Sequence, residues 1–153
     1  MKNKSEKKWN EVLEISSEEF ENIIKAVSQV YPMIVLANLT KNTYLMLKNE
    51  EFLCNDVMTT GCYEDLIDDN LENIHTNYQQ LFQECFSREH LLESFKAGKN
   101  EVYAEVYQKN KKGNYQWVST HVIRIKNGSD DVCHICLNRV LDGIVEERHI
   151  SRN

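Results

Sequence analysis

Hydrophobic and polar positions alternate most regularly between residues 102 and 141. Three runs there, 102–108, 115–125 and 132–141, are rich in β-branched and aromatic residues, which suit a pleated, half-buried surface. The intervening turns, 109–114 and 126–131, carry Gly and Asn, which tolerate positive φ. The pattern predicts two adjacent antiparallel hairpins. Upstream, Trp9, Val12, Leu13, Phe20, Ile23, Ile24, Val27 and Val30 recur in threes and fours, which predicts a helix over about 5–31. Ser16 and Glu19 fit a capping box, so this region is one bent helix or two. Pro32 closes it. Residues 33–39 and 43–47 read as a further hairpin about the turn 40–42. The acidic stretch 48–77 holds expected short helices at 51–57 and 63–70. Residues 78–97 predict a helix with Leu81, Phe82, Cys85, Phe86, Leu91, Leu92 and Phe95 inward, divided near 87–89 and closed by Gly98. Residues 143–150 read as the start of a polar helix.

This order predicts an α+β fold: a five-stranded antiparallel sheet with helices on one face, plus an N-terminal amphipathic helix. At 153 residues the chain is one domain's worth. Residues 1–31 are expected to form a helical cap, 32–142 the domain proper, and 143–153 the beginning of an exit helix.

Composition then narrows the function classes. Net charge is -6, with no basic stripe to meet phosphates, so nucleic acid is not an expected partner. No apolar run approaches the roughly 20 residues of a membrane span. The basic start Met1-Lys-Asn-Lys-Ser-Glu-Lys-Lys8 is followed by no apolar segment and is not a secretory signal. Five cysteines and no export signal read as reduced thiols in a cytoplasmic protein.

Candidate chemistry is sparse. Cys133 and Cys136 spell CxxC, but residues three apart on a strand point to opposite faces, so no metal or redox site is expected. No nucleotide-binding, zinc-protease or nucleophile-elbow motif occurs. The acidic stretch lacks calcium-loop spacing and reads as a solvated face. On the strands, one parity collects Ala104, Val106, Gln108, Val118, Thr120, Val122, His134, Cys136 and Asn138. If these share a concave wall, Gln108, Thr120, His134 and Asn138 are a few polar groups on an apolar surface, which suits a small-molecule pocket. The alternative is that they satisfy one another inside an ordinary core. The other parity collects Trp117, His121, Ile123 and Leu137 among further aromatics, too apolar to face water; the N-terminal helix or a second copy of the chain is expected to cover it.

With the order of elements laid out, the chain resembles a PAS domain of bacterial sensor proteins of the Firmicutes type. Leu39-Thr-Lys-Asn-Thr-Tyr44 resembles the turn between the first two strands of that family. Ile74-His75 followed by Tyr78-Gln-Gln-Leu-Phe82 is similar to its helix-opening segment. Gly113-Asn-Tyr-Gln-Trp-Val118 resembles its G-x-Y-R-W-V signature. Val140-Leu-Asp-Gly-Ile144 with Glu146-Glu-Arg148 resembles its exit into a signalling helix. The chain departs from the pattern at Thr76-Asn77, where Pro-Asp is usual, and at Gly143, where Ile is usual.

The resemblance implies a regulatory sensor joined to an output domain such as a diguanylate cyclase, a cyclic-dinucleotide phosphodiesterase or a histidine kinase. It implies Val118, Thr120 and Val122 facing a pocket, Trp117 facing out, and Asp142 as the point where a signal leaves. Flavin is not expected, because the photoreactive cysteine motif is absent. Haem is not expected either, since no histidine sits clearly on the pocket helix and His90 has the polar neighbours Arg88 and Glu89. The expected partners are a small molecule and a second copy of the chain. Two other readings stand beside the sensor: a ligand-free dimerisation module, and a small enzyme of cone-shaped α+β fold, which would need a buried carboxylate or tyrosine pair.

Overall fold

The computed structural model describes residues 17–49, 60–126 and 128–141. Compactness divides the chain into two units, Met1–Val30 and Tyr31–Asn153. In the first, helix α1 spans Ser17–Ser28, with Glu18 and Glu19 in its first turn and Lys25 in its last. Those charges oppose the ends of the helix dipole favourably.

The second unit is α+β, built on an antiparallel sheet of six strands. They are β1 (Met33–Asn38), β2 (Thr43–Asn49), β3 (Thr60–Cys62), β4 (Glu101–Lys109), β5 (Tyr115–Ile125) and β6 (Cys133–Val140). Their spatial order is β3-β2-β1-β6-β5-β4. The two predicted groups, β1–β2 and β4–β5–β6, are both present and join where β1 pairs with β6.

The strand count corrects the expectation of five. The extra strand, β3, is three residues long and pairs with Thr43–Leu45. Three residues show no period of two, so its pattern carries no strand signal. Its central Gly61 lies under the Tyr44 ring, where an added Cβ would sit 2.9 Å from Cε1.

Three helices follow β3: α2 (Tyr63–Leu71), α3 (Thr76–Phe86) and α4 (Arg88–Lys96). The helical stretch read at 78–97, with its division near 87–89, is two helices. Ser87 divides it with an extended backbone, φ -61° and ψ 151°, and its Oγ accepts from His90 N at 3.3 Å. This is an N-cap replacing one turn of helix. The entry to α3 is pinned to the sheet edge: His75 N donates to Tyr107 O at 2.8 Å, and Lys109 N to Asn73 O at 2.9 Å. At the far end, Arg88 Nε donates to Leu39 O at 2.7 Å and ties the start of α4 to the β1–β2 turn. Asn42 in that turn has φ 57°, a conformation that asparagine tolerates better than most residues.

The helices after β3 pack on one face of the sheet. Phe82, Phe86, Leu91 and Phe95 meet Val35, Ala37, Val106, Val118 and Val122 in a single core. The helix expected at 51–57, the pattern before residue 17, and the exit at Asp142 with residues 143–153 lie outside the described residues.

Candidate functional site

Strand register decides which side chains share the inner face. Gln108 lies opposite Gln116, Val106 opposite Val118, and Ala104 opposite Thr120. Thr120 lies opposite Asn138, Val122 opposite Cys136, and Arg124 opposite His134. Met33, Val35 and Ala37 of β1 continue these rows. Because each side chain alternates across the pleat, one inner wall collects Val106, Gln108, Val118, Thr120, Val122, His134, Cys136 and Asn138.

A cavity of about 20 Å³ lies between this wall and the helices, enough for about one water molecule. Gln108, Thr120, Val122, Cys136 and Asn138 line it from the sheet, with Met33 and Val35. Tyr63, Leu66, Ile67 and Asn70 of α2 and Phe82 and Phe86 of α3 roof it. Val106 and Val118 are buried in the adjoining core and do not line it. His134 does not line it either.

The polar lining is partly self-satisfied. Asn138 Nδ2 donates to Thr120 Oγ1 at 3.1 Å, and Cys136 Sγ donates to Asn138 Oδ1 at 3.2 Å. Burial pushes the Cys136 thiol up to about 12, so it stays protonated and unreactive near neutrality. Tyr63 Oη donates to Phe86 O at 2.7 Å, and burial raises its phenol well above the usual value. Gln108 differs. It is 2% exposed, and its Oε1 has no hydrogen-bond partner among the described residues. An orphaned buried acceptor is uncommon and costly.

His134 stands apart, fully buried against the edge of the Tyr63 ring at 5.5 Å and against Phe95 at 6.4 Å. Neither ring nitrogen has a partner of hydrogen-bond geometry among the described residues. Burial pushes its pKa down to about 4, with the Ile135 backbone opposing weakly.

A larger hollow, about 410 Å³, lies outside this cavity. Glu64, Ile67 and Asp68 of α2 line it, as do Gln83, Ser87 and the Arg88, Glu89 and Leu92 of α4. Its charges are solvated, and Arg88 pairs with Glu64 at 3.5 Å. Ile67 belongs to both linings.

On the opposite face, Trp117 is 7% exposed, its ring 5.1 Å from both Tyr78 and Tyr107. His121 is half-buried, 3.1 Å from Glu101 and edge-on to Tyr103 at 5.6 Å. Ile123 and Leu137 lie on this face too, opposite Ile135 and His121. Cys133 shares it while Cys136 faces the cavity, so the two thiols diverge. His90 is exposed, with its ring 2.6 Å from Ser87 Oγ.

The roof of the cavity was the less legible part. Tyr63, Leu66, Ile67 and Asn70 follow a three-and-four spacing within an acidic stretch, and that stripe was the available signal.

No family model matches the chain, and no curated protein matches it. Among solved structures, it is similar to one described as the crystal structure of a sensory box histidine kinase/response regulator from Burkholderia thailandensis. Identity is 12%, over 85% of this chain and 92% of that one, and the TM-score is 0.46.

Proposed function

We propose that this chain is a regulatory sensor module of the PAS type, which takes a small molecule between the inner wall of the sheet and helices α2 and α3. The observation that carries the reading is the Gln108 carbonyl: buried, lining the cavity, and lacking a partner among the described residues. A buried acceptor left open is a place where a ligand gains a hydrogen bond without breaking an existing one. The sequence motifs at 113–118 and 140–148 support the same reading.

The path outward is short. Thr120 and Asn138 pair across β5 and β6, and Leu141 N donates to Trp117 O at 2.9 Å just beyond. A ligand that moves the Thr120–Asn138 pair acts close to the point where the chain leaves the sheet. The resulting change is a shift between two populated arrangements, transmitted through Asp142 to an output domain.

Catalysis is not part of this reading. Among the described residues no carboxylate lines the cavity, the Cys136 thiol is held protonated, and the Tyr63 hydroxyl is engaged by Phe86 O.

A second reading, an interaction module without ligand, has one observation in its favour: the cavity has room for about one water. One experiment separates the two. A diverse small-molecule set is screened by thermal shift, and hits are followed by methyl NMR and hydrogen exchange. The sensor reading expects hits that move the methyls of Leu66, Ile67 and Val122 and alter exchange after Leu141. Hits that move only surface residues, or none, overturn it in favour of the interaction module.

A further inference from the structure

We infer that Arg88 is an electrostatic latch. It holds α2 and α4 together over the sheet, and its release joins the outer hollow to the buried cavity. The inference goes beyond the ligand-binding reading and needs no ligand of its own. The closed roof leaves room for about one water; the unlatched roof is the arrangement with room for more.

The hollow lies between two helices of like charge. Glu64 and Asp68 line it from α2, and Glu89 lines it from α4. Arg88 is the one cation in its lining among the described residues. Carboxylates on facing walls repel each other unless a cation stands between them.

The position of Arg88 points the same way. It is the first residue of α4, where the helix dipole disfavours a positive charge. The charge therefore works against α4 taken alone. Its guanidinium instead reaches two other parts of the chain. Nε donates to Leu39 O at 2.7 Å and Nη2 to Thr40 O at 3.2 Å, both in the β1–β2 turn. Nη1 lies 3.5 Å from Glu64 Oε1 of α2. That turn is itself anchored to the start of β6: Leu39 N donates to Val132 O and Val132 N to Thr40 Oγ1, each at 2.8 Å. The start of α2 rests on the same turn, with Tyr63 N donating to Asn42 O and Glu64 N to Asn42 Oδ1, each at 3.1 Å. One rigid fork of donors thus ties α4 to the turn and to α2 at once, which a lysine ammonium cannot do.

Ile67 makes the latch matter. It belongs to α2 and lines both the hollow and the cavity. When α2 parts from α4 it carries Ile67 along, and the partition between the two spaces goes with it.

The test is native-state hydrogen exchange on the full chain. In Arg88→Gln at low salt, the amides of α2 and α4 are expected to exchange about tenfold faster, the order of one charge-assisted hydrogen bond, while β5 and β6 stay unchanged. Relief of the dipole clash alone would slow exchange in α4, so the sign separates the latch from a local effect. Salt at about 0.5 M is expected to reverse part of the change, because it screens the carboxylates. Adding Glu64→Gln to Arg88→Gln is expected to do the same. If Arg88→Gln does not fold, Arg88→Lys is read in its place, with faster exchange again confined to α2 and α4. Exchange that rises in every element alike overturns the latch. So does exchange that stays unchanged, or that rises in the helices and ignores both salt and Glu64→Gln. The small-molecule screen above decides separately whether a ligand binds.

Discussion

Thr120 Oγ1 and Asn138 Nδ2 face each other across the β5–β6 pairing, 3.1 Å apart and almost wholly buried. Asn138 also accepts from Cys136 Sγ. Replacing Thr120 with Val keeps the shape and removes the acceptor, which leaves Asn138 Nδ2 a buried orphan. Thr120→Val is expected to destabilise the fold by about 1–3 kcal/mol. Adding Asn138→Leu to it is expected to cost less than the sum of the single changes. Urea denaturation of the two single variants and the double variant measures the coupling. Additive losses would mean that the pair makes no net contribution.

His134 makes stability depend on pH. In the unfolded chain its pKa is the ordinary 6.5; in the fold it is about 4. The unfolded state therefore binds the proton first as pH falls. Stability from this residue is full above about pH 6.5, declines as pH falls toward 4, and is flat below that. The total is about 3 kcal/mol, since each tenfold loss of proton affinity on folding is worth about 1.4 kcal/mol. The Ile135 backbone favours the proton, but the side chains around the ring do not. Arg124 is its strand partner, and Tyr63 and Phe95 pack against it. His134→Leu removes two unpartnered nitrogens and is expected to flatten this part of the profile and to stabilise the protein at pH 5. Thermal melts of both proteins from about pH 4 to pH 7 check it, and parallel profiles would refute it.

The sheet was more legible than its roof. Strands β4 and β5 announce themselves by their β-branched and aromatic residues, and Gly113 and Gly128, both at positive φ, mark the turns on either side of β5. Parity then divides Val106, Gln108, Val118 and Thr120 from Trp117 and His121 without a structure. What parity leaves open is register: one residue of slip would send Asn138 to the other face, and the ladders of β6 with β5 and β1 fix it, setting Asn138 opposite Thr120 and Met33. His134 shows the other limit. It shares parity with Cys136 and Asn138, yet lies beside Phe95 and Tyr63 away from the cavity, because helix placement decides which stretch of the wall is covered tightly. β3 was invisible for want of length, and Gly61 takes its meaning only from the Tyr44 ring above it.

Ile67 stands between the buried cavity and the outer hollow, with 8% of its surface exposed. Ile67→Ala is expected to cost about 2–4 kcal/mol in lost burial and residual void. It is also expected to open the buried cavity to the outer hollow, because the shortened side chain joins the two spaces. Denaturation measures the first effect, and faster hydrogen exchange of the backbone amides around the cavity measures the second. A stability loss with unchanged exchange would mean that the two spaces stay separate.

Trp117 separates folding from association on the outer face. Its ring lies against Tyr78 of α3 and Tyr107 of β4, so it joins the sheet edge to the helix entry as well as presenting a surface. Trp117→Glu puts a carboxylate into that buried aromatic contact and is expected to cost at least about 3 kcal/mol, seen as a lower urea midpoint. A change in mass on light scattering would then be confounded by unfolding. Tyr103 avoids this. It is on the same face, 51% exposed, and flanked by His121 and Glu105. Tyr103→Glu is expected to shift stability by no more than about 0.5 kcal/mol, as exposed substitutions do. If two copies of the chain mate through this face, it adds one more negative charge per copy to a patch already holding Glu101 and Glu105. The dimer fraction in sedimentation is then expected to fall while the melting curve stays in place. An unchanged dimer fraction with an unchanged melt would remove this face as the site of association.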